Sequence, residues 1–148
     1  MKNLKKVIYF ILIIFLGFGF ISCSNSKDYE IFSTDELKVE EEKYYFSHED
    51  VSKYIHEFKK LPNNYITKDK AYDLGWNPEE GNLWDIKFQA VIGGDEFKNF
   101  EEKLPSGKYN EADVDYYGGF RNSNRLVYDK NGNIYFSDDH YESFEKLY

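Results

Sequence analysis

Cysteine is almost absent from this sequence, since Cys23 is the only one among 148 residues. The chain cannot form an internal disulfide, and it cannot hold a metal ion with the cysteine clusters typical of structural zinc sites. The histidines do not form a metal-binding cluster in place of cysteines. His48 and His56 lie eight positions apart, and we expect both to be exposed on a helix. The sequence therefore predicts a fold held by packing, with no metal site and no cofactor.

Positive charge is also scarce. The chain has 19 Lys and Arg against 27 Asp and Glu, a formal net charge of −8. This balance argues against a non-specific nucleic-acid binder, which would normally be basic, but it leaves room for a local basic cleft. Aromatic residues are abundant at 20%, which excludes a disordered chain and indicates one globular domain.

One long hydrophobic run is present, at the N-terminus. Three lysines precede 15 apolar or glycine residues at 7–21, which is typical of a signal peptide and short for a membrane span. The following letters FISC resemble a lipobox, in which cleavage exposes the cysteine for lipid attachment. We predict a lipoprotein-type signal peptide at 1–22, lipidation at Cys23 and an exported protein, extracellular or anchored in the cell envelope. An ordinary secretory signal or an uncleaved anchor is the alternative.

Residues 23–46 are polar and acidic, and we predict a flexible tether there, followed by a domain at 47–148. Ser47 has the sequence of a helix N-cap, and the apolar residues after it follow at helical spacing: Val51, Tyr54, Ile55 and Phe58. The Leu-Pro pair at 61–62 should stop this helix. A second helix should run from Thr67 to a cap at Gly75, with a short third one around 82–86.

Short aromatic and β-branched runs dominate after residue 91. DVDYY (113–117), RLVYD (125–129) and NIYFS (133–137) predict strands, and the letters DKNGN predict a tight hairpin turn. The segment GGDEFKNFEEKLP has the composition of a loop. Helices followed by strands indicate an α+β fold, with N-terminal helices packed on a single antiparallel sheet.

Four residues of the strand-rich half could act together on a phosphate. Arg121 and Arg125 are four apart and would repel each other unless a phosphate or carboxylate lay between them. Glu111 and His140 could supply a base and an acid on opposite sides of an RNA phosphodiester, whose own 2′-hydroxyl is the nucleophile. The alternatives are two separate surface salt bridges, a Glu111–Arg121 pair and a solvated structural histidine.

Five ordered motifs between residues 47 and 148 carry a family resemblance: KLPNNYITKDKAYDLGW, EEGNLWDI, IGGDEFKNFEEKLP, NEADVDYYGGFRNSNRLVY and DDHY. They closely resemble the barnase-like family of secreted bacterial guanyl-preferring ribonucleases. The resemblance implies an α+β fold whose open sheet face binds RNA. It also implies that Glu111 is the general base and His140 the general acid, and that three cations stabilise the phosphate: Lys68, Arg121 and Arg125.

The resemblance further implies a guanine-binding loop. Glu101 matches the carboxylate that accepts hydrogen bonds from guanine N1 and N2, and backbone amides around Lys98, Asn99 and Phe100 would face O6. Tyr141 matches a tyrosine that lines the site. Phe100 departs from the family, which has an arginine there, and about three residues are missing before Glu111. With a net acidic domain, these departures predict slower turnover on polymeric RNA and a weaker salt dependence.

Together these patterns predict a monomeric extracellular endoribonuclease. It would cleave single-stranded RNA 3′ to guanine by transesterification to a 2′,3′-cyclic phosphate, which it would then hydrolyse. The resemblance implies that a small acidic inhibitor protein could bind it. Two alternatives remain: a nuclease toxin displayed at the cell surface, and a non-catalytic surface lipoprotein that keeps the fold to bind nucleotides or a protein.

Overall fold

The structure is a computed structural model that describes residues 38–148. The predicted signal peptide, Cys23 and the first part of the predicted tether lie outside the described residues. Within 38–148, no helix is both long enough and apolar enough to cross a membrane.

Three helices lie in the first half of the described chain: α1 His48–Phe58, α2 Lys68–Asp73 and α3 Leu83–Ile86. The predicted caps are confirmed, because the Ser47 side chain accepts a hydrogen bond from the Asp50 amide and Thr67 accepts one from Lys70. Helix α1 ends before the Leu-Pro pair, since Lys59 adopts the left-handed conformation with φ of 56°.

In the described part of the chain, six strands form one sheet in the order of the chain: β1 Tyr65–Ile66, β2 Val91–Phe97, β3 Tyr109–Asp113, β4 Arg125–Asp129, β5 Ile134–Ser137 and β6 Glu145–Lys146. Strand β1 pairs with β2 in parallel, and the other neighbours are antiparallel. The α+β prediction is confirmed, with β1 as a parallel addition to the antiparallel sheet.

Two predictions about the strands were wrong: one strand was placed too far along the chain, and one segment that is a strand was predicted as a loop. The strand predicted over 113–117 lies at Tyr109–Asp113, where the register pairs Tyr109 with Asp129 and Asp113 with Arg125. The segment GGDEF was predicted as loop but belongs to β2. Gly93 is needed there, because a Cβ atom would lie 2.9 Å from the Ala112 Cβ, and Gly94 has φ of +97° at an irregularity in the register.

The sheet separates a core from the face that carries polar groups. One face packs on α1 through a buried cluster: Val51, Ile55, Val114, Leu126 and Ile134. The opposite face holds a smaller apolar cluster: Leu104, Tyr109, Val127 and Tyr135. Because side chains alternate along a strand, Tyr109, Glu111 and Asp113 of β3 lie on this second face.

Part of the segment predicted as tether contacts the domain. Val39 is only 8% exposed, the Tyr54 hydroxyl donates to the Glu41 carbonyl at 2.8 Å, and the Asp115 amide donates to the Phe46 carbonyl at 2.7 Å. Packed structure therefore extends back to residue 39, because these apolar side chains and carbonyls find partners on the domain.

His48 differs from its prediction as an exposed helix residue. Its ring stacks on Phe136 at 4.2 Å between centroids, and Nδ1 lies 3.1 Å from Asp115 Oδ2. Its side chain is 28% exposed. This histidine joins the start of α1 to the loop after β3.

Candidate active site

The carboxylate of Glu111 is held on both oxygens. Glu111 lies in the middle of β3, with its side chain 12% exposed. Lys68 Nζ lies 2.5 Å from Oε1, and the Tyr141 hydroxyl donates to Oε2 at 2.6 Å. Burial raises the pKa of Tyr141 well above its ordinary value, and the hydrogen bond to Glu111 raises it further. The phenol therefore remains a proton donor to the carboxylate throughout the neutral range.

Lys68 reaches Glu111 because of where α2 begins. It is the first residue of α2, and its backbone amide donates to Asp95 Oδ2 at 3.0 Å. Asp95 lies on β2 directly opposite Glu111 in the register. The start of α2 is thus fixed to the strand next to the one that carries Glu111.

His140 lies in the loop between β5 and β6, in an unusual backbone conformation. His140 and Tyr141 have φ of 57° and 73°, which side chains with a Cβ rarely adopt. The Tyr141 amide donates to Ser137 Oγ at 2.8 Å, and Asp139 accepts from the Ser143 amide at 3.0 Å, so hydrogen bonds hold the loop in this shape. Strain of this kind is common at functional sites.

Tyr141 connects the predicted acid to the predicted base. The His140 side chain is exposed, and its ring centroid lies 4.9 Å from that of Tyr141. The hydroxyl of the same tyrosine contacts Glu111. Tyr141 is therefore a neighbour of both His140 and Glu111.

Arg121 and Arg125 are joined by a buried carboxylate. Asp113 accepts two hydrogen bonds from Arg121, at 2.6 Å from Nε and 2.7 Å from Nη2. Arg125 Nε lies 3.0 Å from Asp113 Oδ1, an ion-pair distance without hydrogen-bond alignment. These contacts make Asp113 the anion that the spacing of the two arginines requires, and they raise the pKa of Arg121. Glu111 is not the partner of Arg121 in a hydrogen bond.

The two arginines differ in exposure. The Arg121 side chain is 25% exposed, whereas that of Arg125 is 2% exposed. Arg125 Nη1 donates to the Asn124 carbonyl at 2.7 Å. Of the two guanidinium groups, that of Arg121 is therefore the one accessible from solvent, and that of Arg125 lies below the surface.

The predicted guanine loop is closed by its own hydrogen bonds. Asn99 Nδ2 donates to the Leu104 carbonyl at 2.7 Å, and the Leu104 amide donates back to Asn99 Oδ1 at 3.2 Å. The Phe100 amide donates to the Lys98 carbonyl at 2.8 Å, so this amide is already engaged. The Asn99 side chain therefore shapes the loop and does not reach outward.

A cleft of about 330 Å³ lies between this loop and the loop that carries His140. Its lining includes both sets of predicted residues: Lys98, Asn99, Phe100, Glu101, His140 and Tyr141. Lys103 ties the two loops together, with Nζ 2.7 Å from Glu101 Oε2 and 3.1 Å from Glu142 Oε2. Glu101 itself is 74% exposed in its side chain, which leaves it accessible to a ligand.

Comparison with known proteins identifies the family. The ribonuclease family model matches residues 48–148. The chain belongs to the ribonuclease family. Ribonucleases from Heyndrickxia coagulans, Bacillus intermedius and Bacillus pumilus are each 45% identical to it over 100 residues. That stretch covers 66% of this chain, 92% of the first relative and 62% of each of the other two. These matches confirm the sequence-based prediction of an RNA-cleaving enzyme with an α+β fold.

In this ribonuclease the structure brings most predicted site residues together. Lys68, Glu111 and Tyr141 are in direct contact, and His140 adjoins Tyr141. Arg125 is the member whose side chain is almost fully buried, at 2% exposed. The sequence-based reasoning missed Asp113 and Lys103. The sequence could have indicated Asp113, because this residue lies two positions after Glu111 and therefore on the same face of the strand.

Proposed function

We propose that this chain is a metal-independent endoribonuclease that cleaves single-stranded RNA 3′ to guanine. The observation that carries the proposal is the connection through Tyr141, which contacts the Glu111 carboxylate and the His140 ring. The proposed base and the proposed acid thus share one neighbour, Lys68 is paired with Glu111, and Arg121 is close enough to Glu111 and Tyr141 to be influenced by their charge. This is the set that transfer of an RNA phosphoryl group to its own 2′-hydroxyl needs.

In the first step the 2′-oxygen attacks the phosphorus and the bond to the 5′-oxygen breaks. Glu111 takes the proton from the 2′-hydroxyl, and His140 gives a proton to the departing 5′-oxygen. Lys68 and Tyr141 hold the carboxylate in place before the substrate arrives. Because Arg121 is partly exposed, its guanidinium stabilises the charge that develops on the phosphate oxygens.

In the second step water opens the 2′,3′-cyclic phosphate, and the two residues exchange roles. His140 takes a proton from water and Glu111 returns one to the 2′-oxygen. The cycle leaves a 3′-phosphate and restores both groups. Because one group must be ionised and the other protonated, the pH profile of kcat/KM should be bell-shaped.

Guanine preference would arise in the cleft. Glu101 exposes its carboxylate there, and a carboxylate complements the N1 and N2 donors of guanine, a pair that the other bases do not offer. The ion pair with Lys103 holds Glu101 through one oxygen, Oε2. The other oxygen is left to accept from the base.

The test is cleavage of GpU by the full chain in the presence of a chelator. We expect a 2′,3′-cyclic product, faster turnover of GpU than of ApU, and loss of nearly all turnover in His140→Ala with an unchanged circular dichroism spectrum. His56→Ala is the matched control, because His56 is exposed on α1 and should not affect turnover. Normal cleavage by His140→Ala would refute the assignment, and no cyclic product from the unaltered chain would favour a non-catalytic binding protein.

We further propose that the protein is exported and anchored by a lipid at Cys23. The support is the N-terminal pattern of lysines, a 15-residue apolar or glycine run and FISC. Metabolic labelling with a radioactive fatty acid should mark the protein, and Cys23→Ser should abolish the label and release the protein from the membrane fraction. Equal labelling of both forms would contradict lipidation at this residue.

A further inference from the structure

Phe100 is the most exposed apolar side chain of the cleft. It is 85% exposed, although it lines the same cleft as His140 and Tyr141. The other phenylalanines of the cleft pack against neighbours, with ring centroids 5.1 Å apart for Phe97 and Tyr141 and 6.4 Å apart for Tyr141 and Phe144. Within 38–148, no aromatic ring packs against Phe100 in this way. Its face is open to whatever enters the cleft.

Charge on this side of the cleft is largely neutralised. Lys98 is paired with Glu96 at 2.5 Å, and Lys103 is shared between Glu101 and Glu142. A phosphate therefore finds little free positive charge on the 98–104 loop. A nucleobase, in contrast, has an aromatic face that can stack on a phenylalanine whatever the local charge.

Hydrogen bonds hold the backbone of the loop that carries Phe100 before binding. The Phe100 amide donates to the Lys98 carbonyl at 2.8 Å. The Asn99 side chain closes the loop, because its Nδ2 donates to the Leu104 carbonyl and its Oδ1 accepts from the Leu104 amide. A loop backbone fixed in this way loses little conformational freedom when a base stacks on the ring that it carries, so the ordering cost is confined to the side chain of Phe100. The geometry suits a platform for a flat ligand.

We propose that Phe100 stacks on the guanine base that occupies this cleft and so determines part of the affinity for RNA. The proposal rests on the proposed function, because it takes the base to be held at its edge by Glu101. Edge recognition by a carboxylate and face recognition by a ring then act on the same base. Stacking replaces the contribution that a cation would make at this position.

The experiment is calorimetric titration of the full chain with 3′-GMP. Stacking on an aromatic side chain contributes about 5- to 150-fold in affinity, so Phe100→Leu should raise Kd by at least about fivefold. Phe100→Trp keeps a ring and should bind within about twofold of the unaltered chain. Phe88→Leu is the matched control, because Phe88 is 71% exposed and lies outside the lining of the cleft.

An unchanged Kd in Phe100→Leu, or an equal loss in Phe88→Leu, would overturn the proposal. So would the absence of 3′-GMP binding by the unaltered chain. Because the titration needs no turnover, it decides the role of Phe100 even if GpU is not cleaved. Failure of cleavage alone refutes the catalytic proposal and leaves the stacking result standing.

Discussion

Asp113 is a single buried carboxylate on which two guanidinium groups depend. Its side chain is 3% exposed and that of Arg125 is 2% exposed, so neither charge is solvated by water. Removing one partner of a buried ion pair leaves the other charge uncompensated, which typically costs about 3–5 kcal/mol. Asp113→Asn should therefore lower the free energy of unfolding by roughly this amount in urea titrations.

The matched control for this substitution is Asp73→Asn on the surface of α2. Asp73 is exposed, so its loss should change stability by less than about 0.5 kcal/mol. If Asp113→Asn were as mild as this control, Asp113 would not be the anion that supports Arg121 and Arg125.

Asp139 makes the loop of His140 sensitive to acid. It accepts hydrogen bonds from the hydroxyl and amide of Ser143 and from the hydroxyl of Ser137, which lower the pKa of its carboxyl to about 2. A carboxyl with a depressed pKa contributes stability above its ordinary pKa of 3.8, and this contribution is lost as the pH falls toward 2. The ionised form is thus the one that holds the loop.

Ser143→Ala removes the 2.6 Å hydrogen bond to Asp139 Oδ2. We expect this variant to unfold at lower urea concentration than the unaltered chain at pH 6. The difference should shrink as the pH falls from 4 toward 2, because the carboxyl becomes protonated over this range and a protonated carboxyl no longer benefits from the hydrogen bond in the same way. A difference that stays constant down to pH 2 would show that the hydroxyl acts through something other than this carboxylate.

The residues of the site were predictable to different degrees. The residue types of Glu111 and His140 made them candidates for acid–base chemistry, and the family resemblance of their motifs assigned them the roles of base and acid. The contact of Tyr141 with Glu111 joins residues 30 positions apart, which local sequence cannot encode. The burial of Arg125 depends in the same way on Asp113 across two strands.

At the scale of elements, the helix caps differ in what they position. Ser47 caps α1, which packs on the sheet and carries no residue of the proposed catalytic set. Thr67 caps α2, whose first residue is Lys68. Loss of an N-cap side chain costs about 1 kcal/mol in stability, so Ser47→Ala and Thr67→Ala should be destabilised to a similar extent.

Their activities should differ. Ser47→Ala should keep kcat/KM for GpU within about twofold, because α1 holds no group near the phosphate. Thr67→Ala should lower kcat/KM by about tenfold, since a frayed α2 lets Lys68 leave Glu111 and a misplaced group is costly in catalysis. Equal activity in the two variants would show that α2 does not position Lys68.

Helices were easier to predict than strands for a physical reason. The caps of α1 and α2 are local, and their signals lie within three residues of the helix start. Strand β2 contains two adjacent glycines and two acids, which favour loops, and only its neighbours Tyr65 and Ala112 explain why Gly93 belongs there. Strands β1 and β6 have two residues each, too few for any alternation to be visible.

At the scale of the whole molecule, the acidic surface disfavours the approach of RNA to the site. The net charge of −8 should repel a polyanion at long range, while the cations next to Glu111, in the role we propose for them, attract one phosphate at short range. Screening by salt weakens the long-range repulsion and the short-range attraction together. The dependence of kcat/KM on salt for polymeric RNA should therefore be shallow.

Changing the surface charge alone should make this shallow salt dependence of kcat/KM steeper. Three exposed acids lie outside the cleft: Glu57, Asp73 and Glu79. Replacing all three with lysine removes three negative charges and adds three positive ones, which raises the formal net charge from −8 to −2 and leaves the site intact. We expect kcat/KM on polymeric RNA to rise at low salt and to fall more steeply as salt increases, because most of the long-range repulsion that offsets the attraction of the site is then removed.

The dinucleotide GpU separates this long-range effect from the chemistry. It carries a single phosphate, so the field of the whole surface acts on it weakly and its kcat/KM should change little in the triple variant. An equal gain on GpU and on polymeric RNA would locate the effect in the active site. A salt dependence of the unaltered chain as steep as that of the triple variant would contradict the role assigned to the acidic surface.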